Sequence, residues 1–322
     1  MRTSPAPTAS AEDVENAWQD NKLAQVLYHD WEAQTYDEKW SISFDDRCTS
    51  IVRDRFMHVL ASSLQPGEEL PYGRTLELGA GTGFFSLNLK LAGLVSDVHI
   101  CDLSPGMVEA AKQNAERLGF SIQGQVADAE ALPYEDDTFD LVVGHAIIHH
   151  IPDVEAALRE VVRVLRPGGR FVIAGEPTTI GHWYARQISR ATWETATRVS
   201  RLPPFRAKWA REQAELDESS RAAALEAVVD LHTFDPKQLA QTARRAGAEN
   251  VGTATEELLS AFVGWPVRTL EYAVSEDALG LRWARFAYGS WRRLMKVDAV
   301  LGRVVPQAVF YNVGVTGTKP AR

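Results

Sequence analysis

The sequence predicts an α/β protein built around a parallel sheet, and three observations support this fold class. Short apolar runs alternate with helical patterns between residues 71 and 177, which is typical of βαβ units. A glycine-rich turn joins the first apolar run to the first of these helices. The chain has 322 residues, of which 45% are apolar and 24% charged, so it can bury a substantial core and is not wholly disordered.

Seven apolar runs are predicted to be strands, and turn and cap residues mark the helices between them. Ser104-Pro105 gives one helix an N-cap followed by proline at the first helical position. Pro167-Gly168-Gly169 ends a helix and turns the chain into a strand, and Asp235-Pro236 starts the next helix. The strands are expected at 74–78, 97–101, 121–126, 139–143, 170–174, 250–255 and 309–317, and the helices near 84–93, 105–118, 153–165 and 236–246.

Composition excludes several classes of protein. A net charge of −9 argues against general electrostatic binding of nucleic acid. Cys48 and Cys101 offer no metal-ligand spacing and no disulfide framework, so we predict no metal and a reduced, cytoplasmic protein. No apolar run approaches the roughly 18 residues that a membrane span requires. Residues 1–12 are rich in Pro, Ala, Ser and Thr and are predicted to be a disordered tail.

The glycine-rich turn at residues 77–83 suggests a nucleotide-like ligand. Its glycines stand at every second position, where they allow a tight turn and close approach of a ligand to the main chain. Asp102, at the end of the second strand, is placed to accept hydrogen bonds from ribose hydroxyls. The dinucleotide fingerprint requires glycine where Phe84 stands, and Glu77 would repel a pyrophosphate but suits ammonium and sulfonium charges. NAD is therefore the weaker alternative.

Six segments resemble, in order and spacing, the motifs of class I S-adenosylmethionine-dependent methyltransferases. Glu77-Leu78-Gly79-Ala80-Gly81-Thr82-Gly83 resembles the first motif, and Cys101-Asp102-Leu103-Ser104-Pro105-Gly106-Met107 resembles the second-strand motif. The set covers about residues 74–177 and is most similar to the branch of ubiquinone and menaquinone biosynthesis and related small-molecule methyltransferases. The other segments are Asp128-Ala129-Glu130-Ala131-Leu132-Pro133, Phe139-Asp140-Leu141-Val142-Val143, His149-His150-Ile151-Pro152-Asp153 and Leu165-Arg166-Pro167-Gly168-Gly169.

This resemblance implies a Rossmann-like class I methyltransferase fold, with a seven-stranded, mostly parallel sheet, helices on both faces and an antiparallel last strand. It implies S-adenosylmethionine as the cofactor, with Glu77 at its amino end, Asp102 at the ribose and Asp128 at the adenine. A turn or cap role is the alternative for Asp128. The residues expected to bind the cofactor are Tyr36, Glu77, Gly79, Ala80, Gly81, Gly83, Asp102, Leu103, Met107, Asp128, Ala129 and His145.

Histidines after the fourth strand are the candidates for catalysis. Transfer from a sulfonium mainly requires alignment of the nucleophile, and a general base helps when the acceptor is a hydroxyl or an activated carbon. His145 and His149 lie near the carboxyl edge of the sheet, where ligands bind in open α/β folds. Alternatively, His149-His150 stabilises the loop.

The rest of the chain is predicted to form a lid and a cap. Residues 13–70 resemble the helical N-terminal lid of the family, in which Tyr36 and Trp40 stack on the cofactor or exclude water, or else only pack a surface helix. The S-adenosylmethionine-binding core is expected at 71–177, completed by a helix and strand at 233–257 and a last strand and tail at 307–322. Helical insertions are expected at 178–232 and 258–306.

The two insertions combine basic and aromatic residues. Residues 181–211 carry a net charge of +6 and residues 279–297 carry +5, and subtracting both from −9 leaves −20 for the remainder. Such helices are typical of contact with an anionic membrane surface, and the alternative is a solvated face covering an acceptor pocket. Both interpretations favour a bulky, partly apolar acceptor over a small polar one. We expect a small lipophilic molecule methylated on oxygen or carbon, and no nucleic acid as partner. A cofactor-binding module without turnover is a further alternative.

Overall fold

Seven strands form the centre of the computed structural model, which describes residues 20–33, 36–64, 67–213, 216, 229–275 and 278–321. The predicted tail at 1–12 lies outside these residues. The strands are β1 Tyr72–Leu78, β2 Val95–Asp102, β3 Gln123–Val126, β4 Phe139–His145, β5 Leu165–Pro177, β6 Glu249–Glu256 and β7 Asn312–Thr318.

These strands form one sheet in the order β3-β2-β1-β4-β5-β7-β6. The pairs among β1 to β5 are parallel, whereas β7 runs antiparallel to both β5 and β6. The predicted fold class, including the antiparallel last strand, is confirmed. The chain leaves β1 toward β2 on one side and returns to β4 on the other, so the sheet has a switch point beside β1, where open α/β sheets bind ligands.

All seven strands differ from the predicted boundaries at one end or both, including the fifth, the last and the third. The fifth strand begins at Leu165, so Pro167-Gly168-Gly169 lies within it, and a register shift in its pairing with β4 accommodates these residues. The last strand begins at Asn312 rather than 309, because Gln307–Val309 form a 3-10 turn and Phe310 is buried. The third strand is two residues shorter than predicted and begins at Gln123.

Eleven α-helices lie in the described part of the chain. The predicted caps are present: the Ser104 hydroxyl accepts from Met107 N at 3.0 Å, and the Asp235 carboxylate accepts from Lys237 N at 2.9 Å. The helices are α1 Asn21–Glu32, α2 Tyr36–Lys39, α3 Asp46–Ala61, α4 Phe84–Leu91, α5 Pro105–Arg117, α6 Val154–Val164, α7 Thr179–Val199, α8 Pro203–Trp209, α9 Pro236–Arg245, α10 Leu259–Ala273 and α11 Leu281–Leu301.

Both faces of the sheet are covered by helices, because successive side chains of a strand point to opposite faces. On β4, Leu141 and Val143 pack with side chains of α3, α4 and α5, whereas Val142 packs with side chains of α6 and α9. All three are fully buried. This burial on two faces explains why the parallel strands are continuous apolar runs in the sequence.

Helices α7, α10 and α11, hereafter the cap helices, pack against one another, and α10 contacts both of the others. The rings of Tyr184 and Phe262 stack with centroids 4.3 Å apart. The buried carboxylate of Asp298 on α11 accepts from Leu259 N at 2.9 Å and Ser260 N at 3.0 Å, which satisfies the amino end of α10. None of the helices in the described ranges is long and apolar enough to span a membrane.

Candidate active site

A cavity of about 1920 Å³ lies at the carboxyl ends of β1, β2 and β4. Side chains from α1, α2 and the cap helices form its other walls. Every residue predicted to bind cofactor or to act in catalysis lines this cavity, with the exception of Gly83. The sheet therefore brings together residues that lie more than 100 positions apart in the sequence.

The glycines at the end of β1 are required by local backbone geometry. Gly79, Gly81 and Gly83 all have positive φ, at 54°, 52° and 83°, which is unfavourable for residues with a side chain. A Cβ on Gly79 would also collide with Ile147 Cδ1, whereas one on Gly81 would meet only the Tyr36 ring, at 3.9 Å. Gly81 thus leaves open space beneath Tyr36, where a ligand can approach the main chain.

Asp102 supports this loop from the end of β2. Its Oδ2 accepts from Gly81 N at 2.8 Å and its Oδ1 accepts from Ser104 N at 2.9 Å. Burial is the largest influence on the carboxyl group and raises its pKa. The carboxylate therefore fixes the glycine loop and also faces the cavity.

Glu77 lies beneath the loop and is almost completely buried. Its Oε2 accepts from Ser86 N at 3.1 Å and from the Ser86 hydroxyl. Burial raises the pKa of Glu77 to about 8, against the opposing effect of the Ser86 hydrogen bonds. A buried carboxyl with this pKa gains its charge readily when a cation is placed beside it.

Asp128, the residue predicted to contact adenine, already has a cationic partner in this structure. Lys22 Nζ of α1 lies 2.5 Å from Asp128 Oδ2 and also contacts the Glu130 carboxylate. The Asp128 Oδ1 accepts from Glu130 N at 2.9 Å, which is the turn role considered from the sequence. The sequence analysis missed Lys22, because a single lysine on a surface helix carries no signal of its own.

Two carboxylates bond the N-terminal helices to the glycine loop and to the start of α5. Asp37 Oδ1 accepts from Thr82 Oγ1 at 2.6 Å, and its Oδ2 accepts from Asn114 Nδ2 at 3.2 Å. Asp30 Oδ1 accepts from Gly106 N at 2.9 Å. These contacts hold the Tyr36 ring over the cavity, as the predicted lid role requires.

His145, at the end of β4, has an environment that disfavours the predicted role as a base. Arg55 Nη1 lies 2.7 Å from His145 Nε2, and since a guanidinium only donates, this nitrogen accepts. The imidazole stacks on the Phe85 ring with centroids 5.2 Å apart. Burial, followed by the charge of Arg55, holds the pKa of His145 well below its ordinary value. These contacts favour a neutral His145 that lines the cavity over His145 as a general base.

His149, unlike His145, has a carboxylate beside its Nδ1 atom that can orient the imidazole ring. Its Nδ1 lies 2.7 Å from Glu176 Oε2, and Glu176 also accepts from the backbone N–H groups of Ile147, Ile148 and His149 at 2.8, 3.1 and 3.2 Å. A carboxylate at Nδ1 selects the tautomer whose Nε2 is unprotonated. Glu176, at the end of β5, was missed by the sequence analysis, although its position after an apolar strand was a usable signal.

His149, His150 and Asp230 form a group whose ligand atoms lie within 4.8 Å of one another. Asp230 Oδ1 lies 3.7 Å from His149 Nε2 and 3.4 Å from His150 Nδ1. His150 Nδ1 also lies 3.0 Å from Val229 O, to which it donates. Because this proton would have to leave before His150 Nδ1 could bind a metal, the group is a better hydrogen-bond network than a metal centre.

Arg55 and Glu257 form a second buried group that the sequence did not reveal. Arg55 Nη2 lies 2.9 Å from Glu257 Oε1, and its Nε contacts the Glu256 carboxylate. Glu257 has φ of 66°, lines the cavity, and has a pKa raised by burial to about 7. Arg55 thus joins β6 to His145 across the cavity floor.

Comparisons with known proteins agree with this architecture. Residues 76–173 match the family described as a methyltransferase domain. An uncharacterized protein of Mycobacterium tuberculosis is 33% identical over 154 residues, 48% of this chain and 53% of that protein. A demethylmenaquinone methyltransferase of Thermus thermophilus is 39% identical over 104 residues, 32% of this chain and 47% of that protein. The solved structure of Haemonchus contortus phosphoethanolamine N-methyltransferase 2 with phosphomonomethylethanolamine and S-adenosylhomocysteine has a TM-score of 0.53 at 16% identity, covering 94% of this chain and 60% of that chain.

The chain spans about half the length of the curated relatives it matches. The structural likeness, at 16% identity, shows a shared fold. The sequence match lies in the segment that supplies β1, the glycine loop, β2 and β4. The predicted resemblance to class I methyltransferases is confirmed.

Proposed function

From the methyltransferase domain at residues 76–173, we propose that this protein is an S-adenosylmethionine-dependent methyltransferase whose acceptor is a small, lipophilic molecule. The observation that carries the proposal is the arrangement of Asp102 and the positive-φ glycine loop around one cavity. The cofactor, when bound, supplies an electrophilic methyl group on its sulfonium and leaves as S-adenosylhomocysteine.

The residues at the strand ends fit this cofactor. Gly81 leaves room for a ligand beside the main chain, and Asp102 at the adjacent strand end offers acceptors for the ribose hydroxyls. Glu77, which loses its proton near pH 8, suits the amino end of a methionine. Leu103, Met107 and Ala129 provide apolar walls for the adenine. Asp128 fits the exocyclic amino group if Lys22 shifts toward Glu130, which it already contacts.

His149 is the base that we propose for an oxygen or carbon acceptor. Glu176 accepts from Nδ1–H, so Nε2, which lies 3.7 Å from Asp230 Oδ1, is the nitrogen that takes the acceptor proton. The negative charge of Glu176 then stabilises the imidazolium. Glu176 acts through His149 and is a positioning residue.

Transfer of a labelled methyl group tests the proposal. Protein and labelled S-adenosylmethionine are incubated with an extract of the source cells, and the products are partitioned between water and an organic solvent. We expect label in the organic phase, and we expect Asp102→Ala to abolish it. Label confined to the aqueous phase would support the methyltransferase activity but would exclude a lipophilic acceptor. Absence of label in both phases, with cofactor still bound, would favour a binding module.

The exposed face of α11 favours a second role, peripheral contact with an anionic membrane surface. Five cations lie on this helix, with no carboxylate partner found for them in the described residues, and the apolar residues Phe286 and Val300 are 58% and 60% exposed beside them. This combination fits an anionic bilayer. The cations are Arg282, Arg285, Arg292, Arg293 and Lys296.

Sedimentation with phosphatidylserine-containing vesicles tests this role. Replacing Arg292, Arg293 and Lys296 with glutamine should reduce the bound fraction several-fold, since each cation near such a surface contributes about 1 kcal/mol. Phosphatidylcholine vesicles are the control. Sedimentation that the triple variant leaves unchanged would exclude the contact.

A further inference from the structure

Carboxyl groups are concentrated in the cavity wall near the sheet and arginines beside the cap helices, although Lys22 also lines the first region and Glu271 the second. At its strand end the cavity is lined by the carboxyl groups of Glu77, Asp102 and Asp128. At the opposite end, hereafter the cap end, the cap helices and the segment after α8 supply Arg186, Arg268 and Arg211. The strand end suits the cationic cofactor, so the cap end requires a separate explanation.

Arg268 is the cation whose partners are aromatic rings. Its guanidinium carbon lies 4.0 Å from the centroid of the Trp40 ring and 5.8 Å from that of Tyr272. No carboxylate lies within ion-pair distance of Arg268 among the described residues. Ring stacking holds the plane of a guanidinium without occupying its five N–H donors. Arg268 is half-buried, so these donors are partly withdrawn from water.

Arg186 and Arg211 reinforce the positive charge of the cap end. Arg211 Nη1 donates to Tyr272 O at 2.7 Å, which places it beside the same residue that Arg268 contacts. Arg186 lines the cavity from α7. The nearest acid on α10, Glu271, accepts from Trp283 Nε1 at 2.8 Å and forms no ion pair with Arg268.

The cap end also has an apolar part of its wall, formed by small and aromatic residues. Gly264, Ala284 and Ala287 leave space between the helices, and Trp265 and Trp291 border it. A ligand that fills this space needs an apolar body, while the arginines require an anionic group. Small-molecule sites commonly combine an apolar lining with a few placed charges in this manner.

We propose that the acceptor is amphipathic and that its anionic group, a carboxylate or a phosphate ester, binds Arg268 at the cap end. The inference rests on the proposed methyltransferase function, whose acceptor it specifies. Arg186 and Arg211 increase the positive electrostatic potential at this site. The apolar part of the acceptor lies between α10 and α11. Because Trp40 belongs to the segment that carries Tyr36, the anion site also joins this segment to the cap.

Calorimetric titration with ten-carbon amphiphiles tests the inference. Decanoate, decyl phosphate, decanol and decyltrimethylammonium are titrated into the full-length protein with and without S-adenosylhomocysteine. One hydrogen-bonded charge contributes about 1.5–3 kcal/mol, so we expect an anionic probe to bind at least about tenfold more tightly than decanol. Comparison of decanoate with decyl phosphate distinguishes the two anions. Equal or tighter binding of decanol or of the cationic probe would overturn the inference.

Two substitutions and one matched control locate the effect. Arg268→Gln should reduce the preference for the anion to near unity, and Arg268→Lys should retain part of it, since the charge remains but the ring stacking is lost. Arg244→Gln, on the exposed surface of α9 and outside the cavity lining, should leave the preference unchanged. An equal loss of preference in the Arg244 and Arg268 variants would attribute it to general surface charge and overturn the site.

The cofactor titration separates this inference from the proposed function. If S-adenosylhomocysteine binds and the anion preference is absent, only the acceptor inference fails. If the anion preference is present and S-adenosylhomocysteine does not bind, the cofactor assignment fails while the anion site stands. Should Arg268→Gln not fold, the wild-type ratio and Arg268→Lys still decide the result.

Discussion

The strand end and the cap end of the cavity differ in how they hold charge. At the strand end, Asp102 and Glu77 are fixed by backbone and hydroxyl donors at the ends of buried strands. At the cap end, Arg268 is held by the faces of aromatic rings on helices and loops. Hydrogen bonds from backbone N–H groups fix the position of a carboxylate. A guanidinium, in contrast, can shift across the face of an aromatic ring and keep its contact. The sheet therefore fixes the groups that would contact a ligand more tightly than the cap helices do.

The largest effect is expected from His149, the proposed base, which lines the cavity. His149→Gln should lower kcat by about 10²- to 10⁴-fold, because general base catalysis contributes about that much. The affinity for S-adenosylhomocysteine should remain unchanged. Single-turnover methyl transfer and calorimetry measure the two quantities.

His58→Gln, on α3 outside the cavity lining, is the control for this substitution. Glu176→Gln should lower kcat less and shift its pH profile, because a neutral partner stabilises the imidazolium less. A joint loss of cofactor binding and activity in His149→Gln would indicate that the histidine only supports the loop.

The second prediction concerns the charge of Glu77. Its pKa of about 8 means that the carboxyl is neutral below that pH and must lose a proton to pair with the cofactor's ammonium. The affinity for S-adenosylhomocysteine should therefore rise with pH between 6.5 and 8, by up to about tenfold per pH unit. Glu77→Gln removes the pH-dependent pairing of the Glu77 carboxylate with the ammonium group. The amine of the ligand titrates equally with both proteins, so its effect cancels when the two affinities are compared. Calorimetry at several pH values gives the ratio of affinities, and a constant ratio would reject the pairing.

The third prediction concerns stability at the strand end. Burial lowers the pKa of His145 and of His150 well below 6.5, so each is neutral in the folded protein and takes up a proton on unfolding in acid. Their contribution is present above pH 6.5 and is lost as the pH falls, by up to about 1.4 kcal/mol per pH unit for each histidine. Urea unfolding at pH 7.0 and 5.5 measures this slope.

Substitutions at the two ends of the cavity show which end causes the pH dependence of the unfolding free energy in urea. His145→Gln should reduce the pH dependence of the unfolding free energy, whereas Arg282→Gln on α11 should not change it. If the wild-type protein were equally stable at both pH values, the neutral state of these histidines would be contradicted.

The strand end could be predicted from the sequence because its geometry is local. A glycine loop between an apolar run and a helix, and an acid at the end of the next strand, fix Gly81 and Asp102 without knowledge of distant contacts. Glu176 and Glu257 were missed because their roles depend on partners 27 and 202 positions away in the chain. The environment of His145 could not be foreseen from the sequence, because Arg55, on a separate helix, determines its hydrogen bond.

For the cap end, the sequence predicted the composition of the surface but not which residues line the cavity. The clustering of cations with aromatic residues indicated a basic, partly apolar surface, but it did not distinguish Arg268, which faces the cavity, from Arg282, which faces outward. That distinction depends on how α10 packs between α7 and α11. The periodicity of a helical sequence predicts which residues share one face of the helix. It does not predict which other element packs against that face.

Retention of labelled S-adenosylmethionine in equilibrium dialysis, with excess NAD as a competitor, tests the central claim most directly. We predict that the protein retains the label at one equivalent, that NAD does not displace it, and that Asp102→Ala reduces the affinity at least about thirtyfold, since a charged hydrogen bond contributes about 2 kcal/mol. Asp97→Ala, at the exposed start of β2, should bind as the wild type does. Displacement by NAD, or equal retention by the Asp102 variant, would contradict the assignment of the strand end to S-adenosylmethionine.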